Sequence, residues 1–261
     1  VSVPQLPLAL RTPSDQRLDS YIGAPEGVIA QLRALAVGAF GDWLYLAGPA
    51  GTGKTHLALS VCAAAEQAGR SAAFLPLQAA AGRLGDALEA LEGRSLVALD
   101  GVEAIAGRRE DEVALFDFHN RARAAGISLL YTAQQMPDGL ALVLPDLRSR
   151  LSQCIRLGLP VLDDAARAEV LRDRAQRRGL ALDAAAIDWL LSRSERDLAG
   201  LVALLDRLDR ASLAAQRRVT VPFLRRVLAE QGLGTRGAEP GPGTRDAGPG
   251  LGTRDPGPGK S

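Results

Sequence analysis

Gly48-Pro49-Ala50-Gly51-Thr52-Gly53-Lys54-Thr55 carries the residue types and the spacing of a phosphate-binding loop, with glycine, glycine, lysine and threonine at all four fixed positions. Glycines let backbone N–H groups turn inward around phosphate oxygens, and a following helix adds the positive end of its dipole. In that chemistry Gly48, Gly51, Thr52 and Gly53 line the cradle, Lys54 reaches the β- and γ-phosphates, and Thr55 offers its hydroxyl to Mg²⁺. The flanks agree with this reading. Trp43-Leu44-Tyr45-Leu46-Ala47 is an apolar run suited to a buried strand, and His56-Leu57-Ala58-Leu59-Ser60-Val61 continues as a helix.

A phosphate loop needs a metal-orienting acid on a neighbouring strand. Ser95-Leu96-Val97-Ala98-Leu99-Asp100 supplies one, with Asp100 at the edge where open α/β sheets bind ligands. The next residue is Gly101, where hydrolytic enzymes of this kind commonly carry a second acid, and the nearest carboxylate is Glu103. Without a group that orients the lytic water, hydrolysis should fall by about 10²–10⁴-fold, so intrinsic ATPase activity is expected to be weak. Thr132 ends the fourth apolar run and can either contact a γ-phosphate or cap its own strand. Arg148 and Arg150 lie two apart in Leu144-Pro145-Asp146-Leu147-Arg148-Ser149-Arg150-Leu151 and point to different faces of a short helix. One can serve an internal bridge while the other projects across a subunit boundary; the residues alone favour surface pairing. Arg196, in Ser194-Glu195-Arg196-Asp197, is either a phosphate contact or part of a charged helix face.

These groups need a frame, and the chain provides strand candidates at 43–47, 72–77, 95–100, 127–132 and 154–157, with helical spacing between them. Strands apolar on both faces that alternate with helices predict an α/β domain with a parallel sheet, over residues 16–160. After Pro160 the pattern becomes helical at 163–178, 183–193, 195–214 and 220–230, a small all-helical domain over 161–231. Asp163, Asp164 and Thr220 are placed as helix N-caps and Gly179 as a stop. Residues 1–15 read as an extended arm. From 232 to 261 Gly-Thr-Arg recurs at 234, 243 and 252, each copy running into Gly and Pro, which predicts a disordered tail.

Composition narrows the classes. Hydrophobic residues make up 47% but aromatics only 4%, so the core must be built from Leu, Ala and Val. The net charge of +1, from 31 basic and 30 acidic residues, gives no global field for nucleic acid. Cys62 and Cys154 read as small buried hydrophobes of a reducing compartment, and His56 and His119 lie in no cluster at zinc-ligand spacing. No apolar run approaches ~18 residues and no signal pattern opens the chain, so a cytoplasmic protein with no membrane partner is expected.

Taken in order, the phosphate loop, the Leu-x-Asp strand end, the Thr-ended strand, Asp146-Leu147-Arg148-Ser149-Arg150-Leu151 and a helical lid carrying Arg196 resemble the DnaA-like AAA+ family, over about residues 15–230. Leu18-Asp19-Ser20-Tyr21-Ile22 is similar to the family's adenine-side lead-in, and Asp209-Arg210-Ala211-Ser212-Leu213-Ala214 to its lid signature. The resemblance implies a P-loop AAA+ domain with a lid, Tyr21 and Ile22 beside the base, Arg150 as the arginine finger acting in trans, and Arg196 as the nucleotide-sensing lid arginine. No stretch after Glu230 resembles the initiator's helix-turn-helix DNA reader, and none before residue 15 its oligomerisation domain. This pattern is closest to the Hda-type regulators, which inactivate the initiator.

Those regulators also carry a sliding-clamp-binding peptide, matched here by Gln5-Leu6-Pro7-Leu8-Ala9-Leu10, with Ala9 where proline is common. An extended segment can seat Leu8 and Leu10 in an apolar groove while the Gln5 amide bonds at its rim. The resemblance thus implies ADP (or ATP) with Mg²⁺ as ligand, and DnaA and the DNA polymerase III β clamp as partners, with DNA contact mainly through the clamp; a homodimer is compatible with it. The outcome implied is hydrolysis of DnaA-bound ATP and repression of re-initiation. A rival reading is an autonomous AAA+ ATPase of helicase-loader or transposition-helper type. Another is an adaptor that recruits a factor to DNA.

Overall fold

The apolar runs do become strands: β1 (Leu44–Ala47), β2 (Ala72–Pro76), β3 (Leu96–Asp100), β4 (Ser128–Ala133) and β5 (Ile155–Gly158). The computed structural model describes residues 17–193 except 40, 42, 178 and 181, together with 221, 222, 224 and 225. Among these, the five strands form one sheet in the order β2-β3-β4-β1-β5, every neighbouring pair parallel. The expected parallel α/β sheet is therefore present. Its strands differ from the sequence reading at their ends. Leu77 does not continue β2. Pro76, opposite Asp100, is the last ladder residue, and Leu77 opens helix α3 (Leu77–Ala80) instead. β4 runs one residue past Thr132 because Ala133 pairs with Ala47.

Helices α1 (Val28–Val37), α2 (Lys54–Gln67), α4 (Leu84–Glu89), α5 (Arg109–Ala124) and α6 (Pro145–Ser152) cover the sheet. Strand alternation decides which helix meets which face. Leu44, Leu46, Ala98 and Leu130 point to α1 and α2, where Leu32, Leu35, Leu57 and Val61 meet them. Tyr45, Val97, Leu99, Leu129 and Tyr131 point the other way, onto Leu88, Leu115, Phe118, Leu147 and Leu151. Each fully buried leucine contributes roughly 1.5–3 kcal/mol, so leucine and alanine supply the core that the scarcity of aromatics requires. α5 also satisfies its own dipole, with Glu110, Asp111 and Glu112 in its first turn and Arg121 and Arg123 in its last.

Two of those acids do more than balance a dipole. Asp111 is buried and accepts from the backbone N–H groups of Gly82 (2.7 Å) and Leu84 (3.2 Å), which fixes the start of α4. Glu112 is completely buried and accepts from the N–H groups of Gly107 (2.8 Å), Val143 (2.9 Å) and Leu144 (2.7 Å). It ties the approach to α6 onto α5. Glu112→Ala would take away a buried carboxylate that holds three backbone donors, and the protein is expected to lose about 3 kcal/mol of unfolding free energy, measurable by urea denaturation. A loss below about 0.5 kcal/mol would show that these bonds are dispensable.

Beyond the sheet, α7 (Asp164–Arg177) and α8 (Ala184–Arg193) pack through Ala168, Leu171, Ala175, Ile187 and Leu190, with Leu224 closing the cluster. Asp163 caps α7 by accepting from the Ala166 N–H (2.7 Å), and Asp183 caps α8 through Ala186 (2.6 Å). Asp164 instead starts α7 and pairs with Arg167 (2.8 Å). Gly179 takes a left-handed φ of 68°, as a helix stop requires. The arm, the residues 195–214, Thr220 and the repeat tail lie outside the described residues. No described helix is long and apolar enough to cross a membrane.

Candidate functional site

β1 sits between β4 and β5, and β3 lies beyond β4, so Ala47, Asp100 and Thr132 converge at one carboxyl edge of the sheet. The loop 48–53 leaves β1 there and feeds α2. Its geometry needs its glycines. A Cβ on Gly48 would stand 2.7 Å from the Leu159 carbonyl oxygen. Gly53 has a φ of 85°, and a Cβ on it would stand 2.8 Å from the Tyr21 ring. Tyr21 in turn donates its hydroxyl to the Thr52 carbonyl (2.6 Å), and burial pushes its phenol up to about 12. Tyr21 is therefore a strut of the loop as well as its neighbour. Ile22 is half-buried in a groove of about 330 Å³ facing Glu169, Arg172 and Asp173 of α7.

The polar groups of the site form a chain. Thr55 donates its hydroxyl to one oxygen of Asp100 (2.8 Å), and Thr132 donates to the other (2.5 Å) while accepting from the Gly101 N–H (3.0 Å). Thr132 is fully buried, so its hydroxyl serves the Asp100 carboxylate and the turn after β3. Lys54 donates to the carbonyls of Gly48 (2.6 Å) and Pro49 (2.9 Å). Burial lowers its pKa, while the charges of Glu103 and Asp100 pull it back up. A hydroxyl and a carboxylate side by side are hard oxygen donors of the kind Mg²⁺ takes, with phosphates and water completing its octahedron. Among the described residues no cluster of three or more His, Cys, Asp or Glu could hold a metal by itself. Thr55 and Asp100 suit an ion brought in with a nucleotide.

Glu103 is the residue that spacing undersold. Gly101 adopts a φ of 85°, and a Cβ there would lie 3.9 Å from a Glu103 carboxylate oxygen. The other oxygen accepts from the Gln134 N–H (3.1 Å). A tight 3-10 turn over Val102–Ala104 thus folds the carboxylate back toward the position the missing second acid would leave from.

The two arginines of α6 part as their spacing requires. Arg148 turns inward and donates to the Leu142 carbonyl (2.5 Å). Arg150 emerges at the opposite edge of the sheet from the phosphate loop, in a cleft of about 370 Å³ shared with Trp43, His119 and Arg123. His119 is buried, bonded to the Tyr131 hydroxyl (3.0 Å) and set edge-on to Trp43. Burial, then the charges of Arg150 and Arg123, lower its pKa to about 4. An unfolded imidazole takes up its proton near 6.5. Between these values the unfolded chain holds more protons, so stability should fall as pH drops through that window. His119→Phe is expected to flatten the decline of the melting temperature below pH 6.5; an unchanged decline would place its cause elsewhere. Gln5, Leu6, Leu8, Leu10 and Arg196 lie outside the described residues.

Comparison with known proteins agrees with this architecture. Residues 164–228 match the family model described as Hda, lid domain. Domain III of the Thermotoga maritima replication initiation protein DnaA is similar to 86% of this chain over 98% of its own length, at 16% identity and a TM-score of 0.69. AMPPCP-bound DnaA from Aquifex aeolicus matches 75% of this chain over 66% of its own, at 20% identity and a TM-score of 0.60. The Thermotoga maritima RuvB Holliday junction branch migration motor matches 82% over 72%, at 19% identity and a TM-score of 0.59. Identities this low establish the fold, and the lid match narrows it. The parallel sheet with its glycine-rich loop at the carboxyl edge shares the fold of these solved structures, and residues 164–228 are similar to the Hda lid domain.

Proposed function

We propose that this protein is a clamp-associated regulator that binds ADP between its α/β domain and lid and promotes hydrolysis of ATP held by DnaA. One observation carries the reading: Arg150 lies at the wrong edge of the sheet for its own nucleotide. The cleft that holds it is lined by Trp43, just before β1, whereas the phosphate loop leaves β1 after Ala47. Those four residues of strand span about 13 Å. A guanidinium so placed serves a phosphate only on a neighbouring subunit. There it would stabilise the charge that develops on the γ-phosphoryl oxygens as water attacks, and DnaA would be left with ADP. Gly48 to Thr55 with Asp100 would grip the protein's own ADP and Mg²⁺, Tyr21 and Ile22 would flank the base side, and Arg196 would sense the phosphates from the lid. AMPPCP in the Aquifex DnaA supports an adenine nucleotide at this loop.

Gln5, Leu6, Leu8 and Leu10 would dock the chain on the DNA-loaded β clamp in the cytoplasm, so that DNA is approached indirectly. A pull-down on the clamp tests this. The intact chain should be retained, and Gln5→Ala with Leu8→Ala should lose at least about tenfold in affinity, as expected when apolar anchors leave a groove. Unchanged retention would sink the peptide assignment.

The rival, an autonomous ATPase, draws on Glu103, whose carboxylate reaches toward the position beside Gly101. It would show as turnover above roughly 1 s⁻¹ by the protein alone, raised by single-stranded DNA.

A further inference from the structure

Arg150 shares its cleft with a second guanidinium that no motif marks. Arg123, in the last turn of α5, holds its guanidinium 5.7 Å from the Trp43 ring centroid, within cation–π range. The indole is itself fixed: its Nε1 donates to the Ile127 carbonyl (2.9 Å), and the His119 ring packs edge-on at 4.3 Å. A third cation, Arg70, also lines the cleft, but its two terminal nitrogens already donate to the carbonyls of Leu35, Ala36 and Ser95 and to the Ser128 hydroxyl. Among the described residues no Asp or Glu lines this cleft, and neither Arg123 nor Arg150 has a carboxylate partner. Two guanidiniums held in one concavity without a counter-charge repel each other at a cost the fold must bear. A multiply charged anion would relieve it, and planar guanidiniums fork onto phosphate oxygens.

We infer that Arg123, braced on Trp43, forms with Arg150 a two-arginine receptor for the terminal phosphates of a nucleotide presented by an adjacent AAA+ subunit. The inference rests on the reading of Arg150 as a finger in trans, and assigns Arg123 to hold the same polyphosphate while Arg150 meets its transferring group. Trp43 is then a positioning residue, which steadies the exposed Arg123 guanidinium at the rim of the cleft.

The test uses the full chain with clamp, primed DNA and ATP-bound DnaA, following DnaA-bound ATP. Arg123→Ala should raise the concentration needed for half-maximal stimulation about tenfold, as for loss of one charge-assisted contact, and Arg123→Lys, which keeps a cation but not the planar fork, should recover only part of it. Trp43→Leu should behave like Arg123→Ala without altering the melting temperature by more than a few degrees. In a Trp189→Phe chain, Trp43 is the remaining tryptophan of the two in the sequence. Its fluorescence should respond to ATP-bound DnaA and not to single-stranded DNA alone. Full stimulation by Arg123→Ala while Arg150→Ala is dead would overturn the two-arginine receptor and leave the finger standing. Normal stimulation by Arg150→Ala would overturn both. A Trp43 response to single-stranded DNA alone, abolished by Arg123→Ala, would make the cleft a nucleic-acid site and overturn the proposal.

Discussion

On the proposed function, Arg150→Ala will reduce stimulated conversion of DnaA-bound ATP to ADP by about 10³-fold or more, the range over which supplied arginine fingers act. The size of the effect follows from where the charge develops. In the transition state negative charge spreads over the γ-phosphoryl oxygens, and a fixed guanidinium in a water-poor interface stabilises it with no reorganisation at the moment of reaction. Arg150 is carried by α6, whose approach Glu112 anchors through Val143 and Leu144. Arg148 offers the contrast. It is turned inward onto the Leu142 carbonyl, and Arg148→Ala should cost stability while leaving the stimulated rate per folded molecule within a few fold. The measurement is single-turnover decay of radiolabelled ATP on DnaA with clamp and primed DNA present. If Arg150→Ala supports decay at the wild-type rate, the finger assignment is wrong.

The second large effect is expected at the protein's own loop. Lys54→Ala should remove most of the stabilisation that ADP confers. At saturation near a hundred times Kd a nucleotide adds about 2.7 kcal/mol to folding. Loss of the lysine's charge-assisted bonds removes about 1.5–3 kcal/mol of binding, so the same ADP concentration would add only about 0.3–1.3 kcal/mol. Lys54 sits amid the fields of Glu103 and Asp100, which favour its charged form against burial. Thermal melting with and without ADP and Mg²⁺ reads the effect directly, and an undiminished ADP shift in Lys54→Ala would mean that the loop is not the nucleotide grip. Together the two variants separate the two proposed roles, a nucleotide grip at Lys54 and a finger for a partner's nucleotide at Arg150.

Much of this was legible before any coordinates. The phosphate loop, the five apolar strand runs and Asp100 at the end of one of them are local signals, because glycine spacing, apolar alternation and strand-end acids each act within a few residues of chain. The error at Leu77 was also local. The apolar run continues past Pro76, but the ladder ends there, opposite Asp100, and Leu77 turns into α3. Glu112 and Asp111 gave no such signal. They read as ordinary first-turn acids of a helix, and their work as acceptors for Gly107, Val143, Leu144, Gly82 and Leu84 depends on segments 5 to 32 residues away.

The sequence by itself determined that a phosphate loop sits between a strand and a helix, that Asp100 and Gly101 follow a buried strand, and that Arg148 and Arg150 must face different ways. Each follows from covalent neighbours and from the 2.0 and 3.6 periods of strand and helix. The tertiary structure alone decided which of the two arginines turns inward, that Arg150 stands a strand's length from its own loop, and that Trp43, His119 and Arg123 gather round it. Those residues come from the approach to β1, from α5 and from α6. Parallel crossovers bring them together at one sheet edge, and no spacing along the chain encodes that meeting.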